Sequence, residues 1–159
     1  WATFTHDISE DGYTDLVVYS SSANGVTWNY SFYVYNTAKD LYYPDVEALH
    51  DRLLFLYTGD DGTTVDMGVF WVMYDFSANA TTYLVLPDGF DTFNWGSIIS
   101  DKQYYSNEVT WTYVTYSVWN SETGNGAVYY TRSEDLGITF DNLKMLWQES
   151  DHYTDIGPD

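Results

Sequence analysis

Oxygen-bearing side chains recur at alternate positions near the start of the chain. They are Asp7, Ser9, Asp11 and Asp15, and the main-chain carbonyl of Tyr13 falls between the last two. Hard cations such as Ca²⁺ take about six to eight oxygen ligands, and Gly12 would let the chain bend sharply around the ion. The spacing predicts a calcium loop over residues 7–15, weakened because Ser9 stands where Asn or Asp would bind better. A plain Asp/Gly-rich turn is the alternative interpretation.

A second group of short polar side chains lies near the other end of the sequence. Its members Ser133, Asp135, Gly137, Thr139 and Phe140 make the pattern S-x-D-x-G-x-T-F. Asp135 can accept backbone N–H bonds, Gly137 can take a positive φ, and the two hydroxyls can bond locally. The octet predicts a tight turn between two strands, with Phe140 starting the second. An ordinary Asp/Gly hairpin turn without wider meaning is the alternative.

The composition favours an all-β fold. At 159 residues the chain has the length of one domain or of part of a larger one. Aromatic residues make up 20% of it, and these suit the half-buried surface of a pleated sheet. Only 3 prolines are present, so strands need few interruptions.

The charge balance excludes whole classes of partner. The formal net charge is −19, whereas nucleic acids and anionic membrane surfaces require clustered Lys and Arg. The surplus carboxylates are compatible with a calcium-rich medium, with high salt, or with a need to keep an aromatic surface soluble. The chain has no cysteine, so disulfides, zinc–thiolate sites and thiol nucleophiles are excluded.

The sequence contains three copies of one pattern. Residues 6–20 align without a gap on residues 44–58, and a third copy runs from residue 95 to residue 117 through a longer turn. Each copy ends in a tyrosine followed by Ser or Thr, namely Tyr19, Tyr57 and Tyr116. A further aromatic strand and a short fourth strand follow in turn. Four strands in a repeat of about 40 to 60 residues are typical of β-propeller blades.

The repeats predict the organisation of the chain. We expect blades over residues 1–43, 44–94 and 95–152, with residues 153–159 opening a further copy. Known propellers have about four to eight blades, so three form a partial ring. Because the chain opens on Trp1, we expect a processed or excised piece. Its ring would be completed by further blades of the same polypeptide or by self-association.

Two segments carry a resemblance to known families. The octet 133–140 resembles the Asp-box (BNR) turn of sialidase-like β-propellers, which joins the third and fourth strands of a blade. Residues 7–16 resemble the calcium loop of FG-GAP (integrin-type) propeller repeats, D-x-[ND]-x-D-G-x-x-D-[LI]. Together they imply a fold of about three four-stranded antiparallel blades with calcium as cofactor. Residues 77–83 are interpreted as a worn Asp-box in the second copy.

The resemblance also implies where catalytic carboxylates would lie. Asp7, Asp45 and Asp155 open successive copies, where related glycosidase propellers place acids that face a central channel, and Glu47 is close by. Glycoside hydrolysis needs two carboxyl groups about 5 to 9.5 Å apart. The alternative is that these carboxylates accept backbone N–H bonds at strand starts. Asp7 could not both bind calcium and face a central channel as a catalytic carboxylate.

Other polar residues give little support to catalysis. Sialidases clamp the substrate carboxylate with three arginines, and this chain has two, Arg52 and Arg132. His6, His50 and His152 each neighbour an aspartate, but their places in the repeat predict turns. The sequons at Asn29 and Asn79 predict glycosylation if the protein is exported.

We therefore expect a non-catalytic, extracellular or cell-surface propeller module for binding or assembly, as in adhesion, a surface layer or a filament. Expected partners are further blades or copies of itself, glycans and surface proteins, without nucleic acid. No apolar run approaches the ~20 residues of a membrane span, so membrane insertion is not expected. The alternative is a glycan-active propeller, a glycoside hydrolase or sialidase-like enzyme, with catalytic residues partly outside this piece.

Overall fold

The computed structural model describes residues 1–7, 10, 12–22, 24–34, 39–101 and 111–148. Within these ranges the fold is all-β, as the composition predicts, and is built from three antiparallel sheets without a helix. These ranges therefore contain no helix that could cross a membrane.

The three sheets follow one another along the chain. The first contains β1 (Ala2–His6), β2 (Asp15–Ser20) and β3 (Asn29–Val34). The second contains β4 (Asp40–Ala48), β5 (Arg52–Asp60), β6 (Val65–Met73) and β7 (Asn79–Tyr83). The third contains β8 (Thr92–Ser100), β9 (Thr112–Asn120), β10 (Asn125–Ser133) and β11 (Asp141–Gln148).

Each sheet is an antiparallel meander in which strands adjacent in sequence are adjacent in space. The expected four strands are present in the second and third sheets, whereas three described strands form the first. β4 and β8 begin at Asp40 and Thr92, a few residues before the expected starts of the second and third copies. None of the sheets closes on itself within the described residues.

The second sheet lies between the other two. β1 contacts β4, and β4 and β5 contact β8, whereas no described strand of the first sheet contacts the third. β5 is buried at every position from Arg52 to Gly59. Its unbroken apolar run, rather than an alternating one, is the pattern of a strand covered on both faces.

Two cores fill the spaces between the sheets. Between the first and second sheets lie Leu16, Val18, Leu41, Leu53, Phe55, Tyr57 and Val72. Between the second and third lie, among others, Leu54, Leu56, Met67, Val69, Ile98, Val114, Tyr116 and Val118. Because side chains alternate along a strand, consecutive residues of β5 enter different cores.

The repeated tyrosines have corresponding orientations. Tyr57 packs in the core towards the first sheet, and Tyr116 packs in the core towards the second sheet. In β2, Leu16 and Val18 face the second sheet, so Tyr19 lies on the opposite face of the first sheet. The copies aligned in the sequence therefore place this residue on the same side of each sheet, towards the position that a preceding sheet would occupy.

Candidate functional site

The turn over residues 133–140 is held by its own side chains. Asp135 Oδ1 accepts the N–H groups of Ile138 (3.1 Å) and Thr139 (2.8 Å), and Oδ2 accepts the Thr139 hydroxyl (2.6 Å). Ser133 is buried, and its Oγ accepts the Gly137 N–H at 2.8 Å. Partial burial raises the pKa of Asp135, but the hydrogen bonds from Thr139 and Ser133 outweigh it and lower the pKa overall.

This turn packs on the second sheet. Gly137 has a φ of +81°, and a Cβ atom there would lie 2.9 Å from both Cδ atoms of Leu54 in β5. The Thr82 hydroxyl of β7 donates to the carbonyl of Ile138 at 2.6 Å. The turn therefore links the outer part of the third sheet to both an inner and an outer strand of the second. Phe140 directly precedes β11.

A corresponding turn joins β6 to β7 over residues 74–78. The Asp75 carboxylate accepts the N–H and the hydroxyl of Ser77, and Phe76 has a φ of +58°. Phe76 packs edge-on against Phe32 of the first sheet, with ring centroids 5.3 Å apart. The interpretation of residues 77–83 as the worn counterpart is wrong, because Asn79–Tyr83 forms β7 and the turn comes earlier.

Asp45 and Glu47 lie in β4 and bind the neighbouring sheet. Asp45 Oδ2 accepts the Ser97 hydroxyl and the Ile98 N–H of β8, both at 2.8 Å, while Oδ1 accepts the Val46 N–H. Glu47 Oε1 accepts both the N–H and the hydroxyl of Ser100. These carboxylates join the second and third sheets. The sequence analysis did not predict this contact. The only sequence pattern that could have indicated it is the spacing of Asp45 and Glu47 together with that of Ser97 and Ser100.

The structure gives the other candidate acids different positions. Asp7 follows the last residue of β1, whereas Asp45 lies within β4. Asp155 lies outside the described residues. Asp7 and Asp45 thus open copies in the sequence without being equivalent in the fold, since the turn after β1 is longer than the turn after β4.

The predicted calcium loop is described in part. Asp7, Tyr13 and Asp15 are described, whereas Ser9 and Asp11 are not. Asp7 Oδ2 accepts the Gly12 N–H at 3.2 Å, and Asp7 Oδ1 is buried without a hydrogen-bond donor in the described structure. An oxygen in that state is suited to a cation. The described residues contain no group of three acidic or histidine side chains placed to hold a metal.

The basic residues serve local contacts. Arg52 pairs with Asp51 and lies 5.0 Å from the ring centroid of Trp71. Arg132, in β10 of the third sheet, lies 3.9 Å from the ring centroid of Trp111. The structure therefore places the two arginines in different sheets. His6 ends β1, His50 lies in the turn between β4 and β5, and His152 is outside the described residues.

The sequon residues Asn29 and Asn79 each begin a strand, the third strand of the first sheet and the fourth strand of the second. They are the first residues of β3 and β7, and both side chains are exposed. Both are therefore accessible positions for a glycan.

The outward faces of the first and third sheets carry large apolar side chains. We call them the first and third end faces. On the first end face lie Phe4, Tyr19, Tyr30 and Tyr33, with Phe4 stacked on Tyr19 at 5.2 Å. On the third end face lie Ile99, Tyr113, Tyr130 and Trp147, with the two tyrosines stacked at 6.3 Å. Exposed apolar patches of this kind mark interaction surfaces.

No protein-family model, curated protein or solved structure matches this chain.

Proposed function

We propose that the chain is a segment of a β-propeller of the sialidase-like Asp-box type, acting in binding or assembly at the cell surface or outside the cell. The observation that carries this proposal is that the aligned tyrosines lie on the same side of each sheet. Tyr57 and Tyr116 each pack against a preceding sheet, while their counterpart Tyr19 lies on the first end face. The first end face therefore has the side chains of a sheet-to-sheet interface.

The site chemistry supports a role other than catalysis. Asp45 and Glu47, the two described acids of β4 that could face a channel, accept hydrogen bonds from β8. A general acid or base has to exchange its proton with a substrate or water. Carboxylates engaged between sheets are suited to alignment of the sheets.

The partner that fits the end faces is another sheet of the same repeat, which a second copy of this chain can supply. The third end face of one copy would cover the first end face of the next, as each sheet covers its neighbour within the chain. Two copies would then present six sheets, within the range of about four to eight known for propellers. Glycans and surface proteins are the further partners expected of such a module.

Charge sets the conditions for this association. Each copy carries a net charge of −19, so two copies repel each other at low ionic strength. Arg132 and Lys144 of the third end face oppose part of this repulsion. Assembly should therefore strengthen as salt screens the carboxylates.

The test is the mass of the purified chain by sedimentation equilibrium across a range of concentrations and salt. We expect reversible association that strengthens with salt. Phe4→Asp on the first end face and Ile99→Asp on the third should each weaken it, because both place a charge in an apolar interface. Val26→Asp is the matched control, since Val26 is 84% exposed in the turn between β2 and β3.

Two outcomes would count against the proposal. A monomer at all concentrations and salt conditions would contradict association through the end faces. Equal weakening by Val26→Asp and Phe4→Asp would show that added charge, and not the end face, controls assembly.

A further inference from the structure

The sequence contains two Asn-Gly pairs, and the structure places them in different environments. Asn24 and Gly25 lie in the turn between β2 and β3, where both residues are exposed. Asn125 and Gly126 begin β10, and Gly126 is buried and paired with Trp119 of β9. Asparagine is chemically labile, and a following glycine leaves its side chain open to attack because glycine has no Cβ.

The reaction open to such a pair joins the two residues through the main chain. The Gly25 nitrogen attacks the side-chain carbonyl carbon of Asn24, so that a C–N bond forms and the nitrogen loses its proton to hydroxide. The side-chain nitrogen of Asn24 takes up a proton and leaves as ammonia. Water then opens the five-membered succinimide at either of its two carbonyl groups. One opening gives an aspartate at position 24, and the other gives an isoaspartate.

The turn holds the reacting groups in a closed conformation. The φ angles are +50° at Asn24 and +80° at Gly25, and their signs match the central positions of a type I′ turn. The Gly25 N–H donates to Ser21 Oγ at 3.0 Å, and the Gly25 carbonyl accepts the Trp28 indole N–H at 3.0 Å. Because the attacking nitrogen is engaged by Ser21, the reaction requires local opening. Exposed turns open at a low free-energy cost.

Other residues suited to the same ring closure are held by several hydrogen bonds. The side-chain oxygen of Asn120 accepts two backbone N–H groups, and its nitrogen donates to the carbonyl of Gly89. Asp61, which precedes a glycine, accepts hydrogen bonds from Thr63 and Thr64 that lower its pKa below the ordinary value of 3.8. Its carboxylate therefore stays ionised, and an ionised carboxylate resists attack by a nucleophile.

We propose that Asn24 is a site of spontaneous deamidation and isoaspartate formation, with Gly25 as the nucleophile and water as the co-reactant. Each event replaces a neutral amide by a carboxylate and adds one negative charge to the net charge of −19. An aspartate keeps the length of the main chain and accepts a positive φ. An isoaspartate adds one carbon to the main chain and should break the turn that Trp28 closes. The inference does not depend on the proposed function.

The test is incubation of the folded full-length chain at mildly alkaline pH, followed by peptide mapping with mass spectrometry. The peptide that contains Asn24 should gain the mass that replacement of NH2 by OH adds, and it should split into two products. Isoaspartyl methyltransferase should label one of them. The rate should exceed that at Asn125 by about tenfold or more, since pairing in β10 must open before Asn125 can react.

Three variants test whether opening of the turn controls the rate. Ser21→Ala and Trp28→Phe each remove one hydrogen bond at Gly25 and leave the Asn-Gly pair intact. Each should speed the reaction about two- to tenfold, the effect of one lost hydrogen bond on the population of the open turn. Ser121→Ala is the matched control, because it removes a hydrogen bond to Asp91 in another turn and should leave the rate at Asn24 unchanged.

Several results would overturn the inference. An Asn24 peptide that stays unmodified for as long as the Asn125 peptide would show that the exposed turn does not favour the reaction. A single aspartate product without isoaspartate would exclude the succinimide route. An unchanged or slower rate in Ser21→Ala, or an equal increase in Ser121→Ala, would contradict control by opening of this turn.

Discussion

Replacing Gly137 by alanine tests how the third sheet is held on the second. Gly137 has a φ of +81°, and an added Cβ would lie 2.9 Å from both Cδ atoms of Leu54. Leu54 is fully buried in β5, so it has little room to move away. The substitution therefore combines backbone strain with overpacking.

The two contributions can be separated with a second glycine. Gly62 has almost the same backbone conformation, φ +80°, but nothing lies within 4 Å of the position of its Cβ. Gly62→Ala should lower the free energy of unfolding by the left-handed strain alone, about 1–2 kcal/mol. Gly137→Ala should add about 1–3 kcal/mol of overpacking to a similar strain.

The assay is equilibrium urea unfolding of the two variants, followed by tryptophan fluorescence. A double-mutant cycle with Leu54→Val sharpens it. Valine removes part of the side chain that the new Cβ would meet, so the loss caused by Gly137→Ala should be smaller in the Leu54→Val background. Residues in contact are expected to couple by about 0.5 kcal/mol or more.

Equal losses for Gly137→Ala and Gly62→Ala would refute the reasoning. They would mean that the 133–140 turn does not press on Leu54 in solution. An additive cycle would lead to the same conclusion, because it would show that the two side chains do not meet.

Two further predictions concern calcium and pH. If residues 7–15 bind calcium, EDTA should lower the melting temperature, because a ligand at a hundredfold excess over its Kd stabilises the fold by about 2.7 kcal/mol. Asp7→Asn should abolish this shift in melting temperature. An unchanged melting temperature on chelation would exclude the site. Hydrogen bonds from the Thr14 hydroxyl and N–H lower the pKa of Asp40 below its ordinary value of 3.8, so their stabilisation is present above that value and is lost as pH falls through the lower folded-state pKa. Acid unfolding of Asp40→Asn should therefore show a weaker pH dependence in this range than that of the parent chain, and identical profiles would contradict a role for Asp40.

Local features were predictable because they depend on neighbouring residues. The aromatic, β-branched composition indicated strands, and the repeated tyrosines marked β2, β5 and β9. The residue types of 133–140 indicated a turn, and Asp135 does accept the expected backbone N–H bonds. In each case the signal lies within a few residues of the structure that it describes.

The misassigned positions have a common physical cause. Asp7 and Asp45 match in a gapless alignment, but the turns that follow them in the two sheets differ in length, so one acid lies after β1 and the other within β4. The segment 77–83 resembles an Asp-box in composition, yet its position relative to β6 makes most of it a strand. The end of a strand is set by its pairing with another strand, which is distant in sequence, so the local residue pattern does not reveal it.

The sequence by itself determined the all-β class and the net charge of −19, because strand-forming composition acts locally and charge adds up over the whole chain. Only the tertiary structure decided that Asp45 and Glu47 bind β8 and that Gly137 meets Leu54. Those features depend on which sheet faces lie together, and sheet packing joins residues that are far apart in sequence.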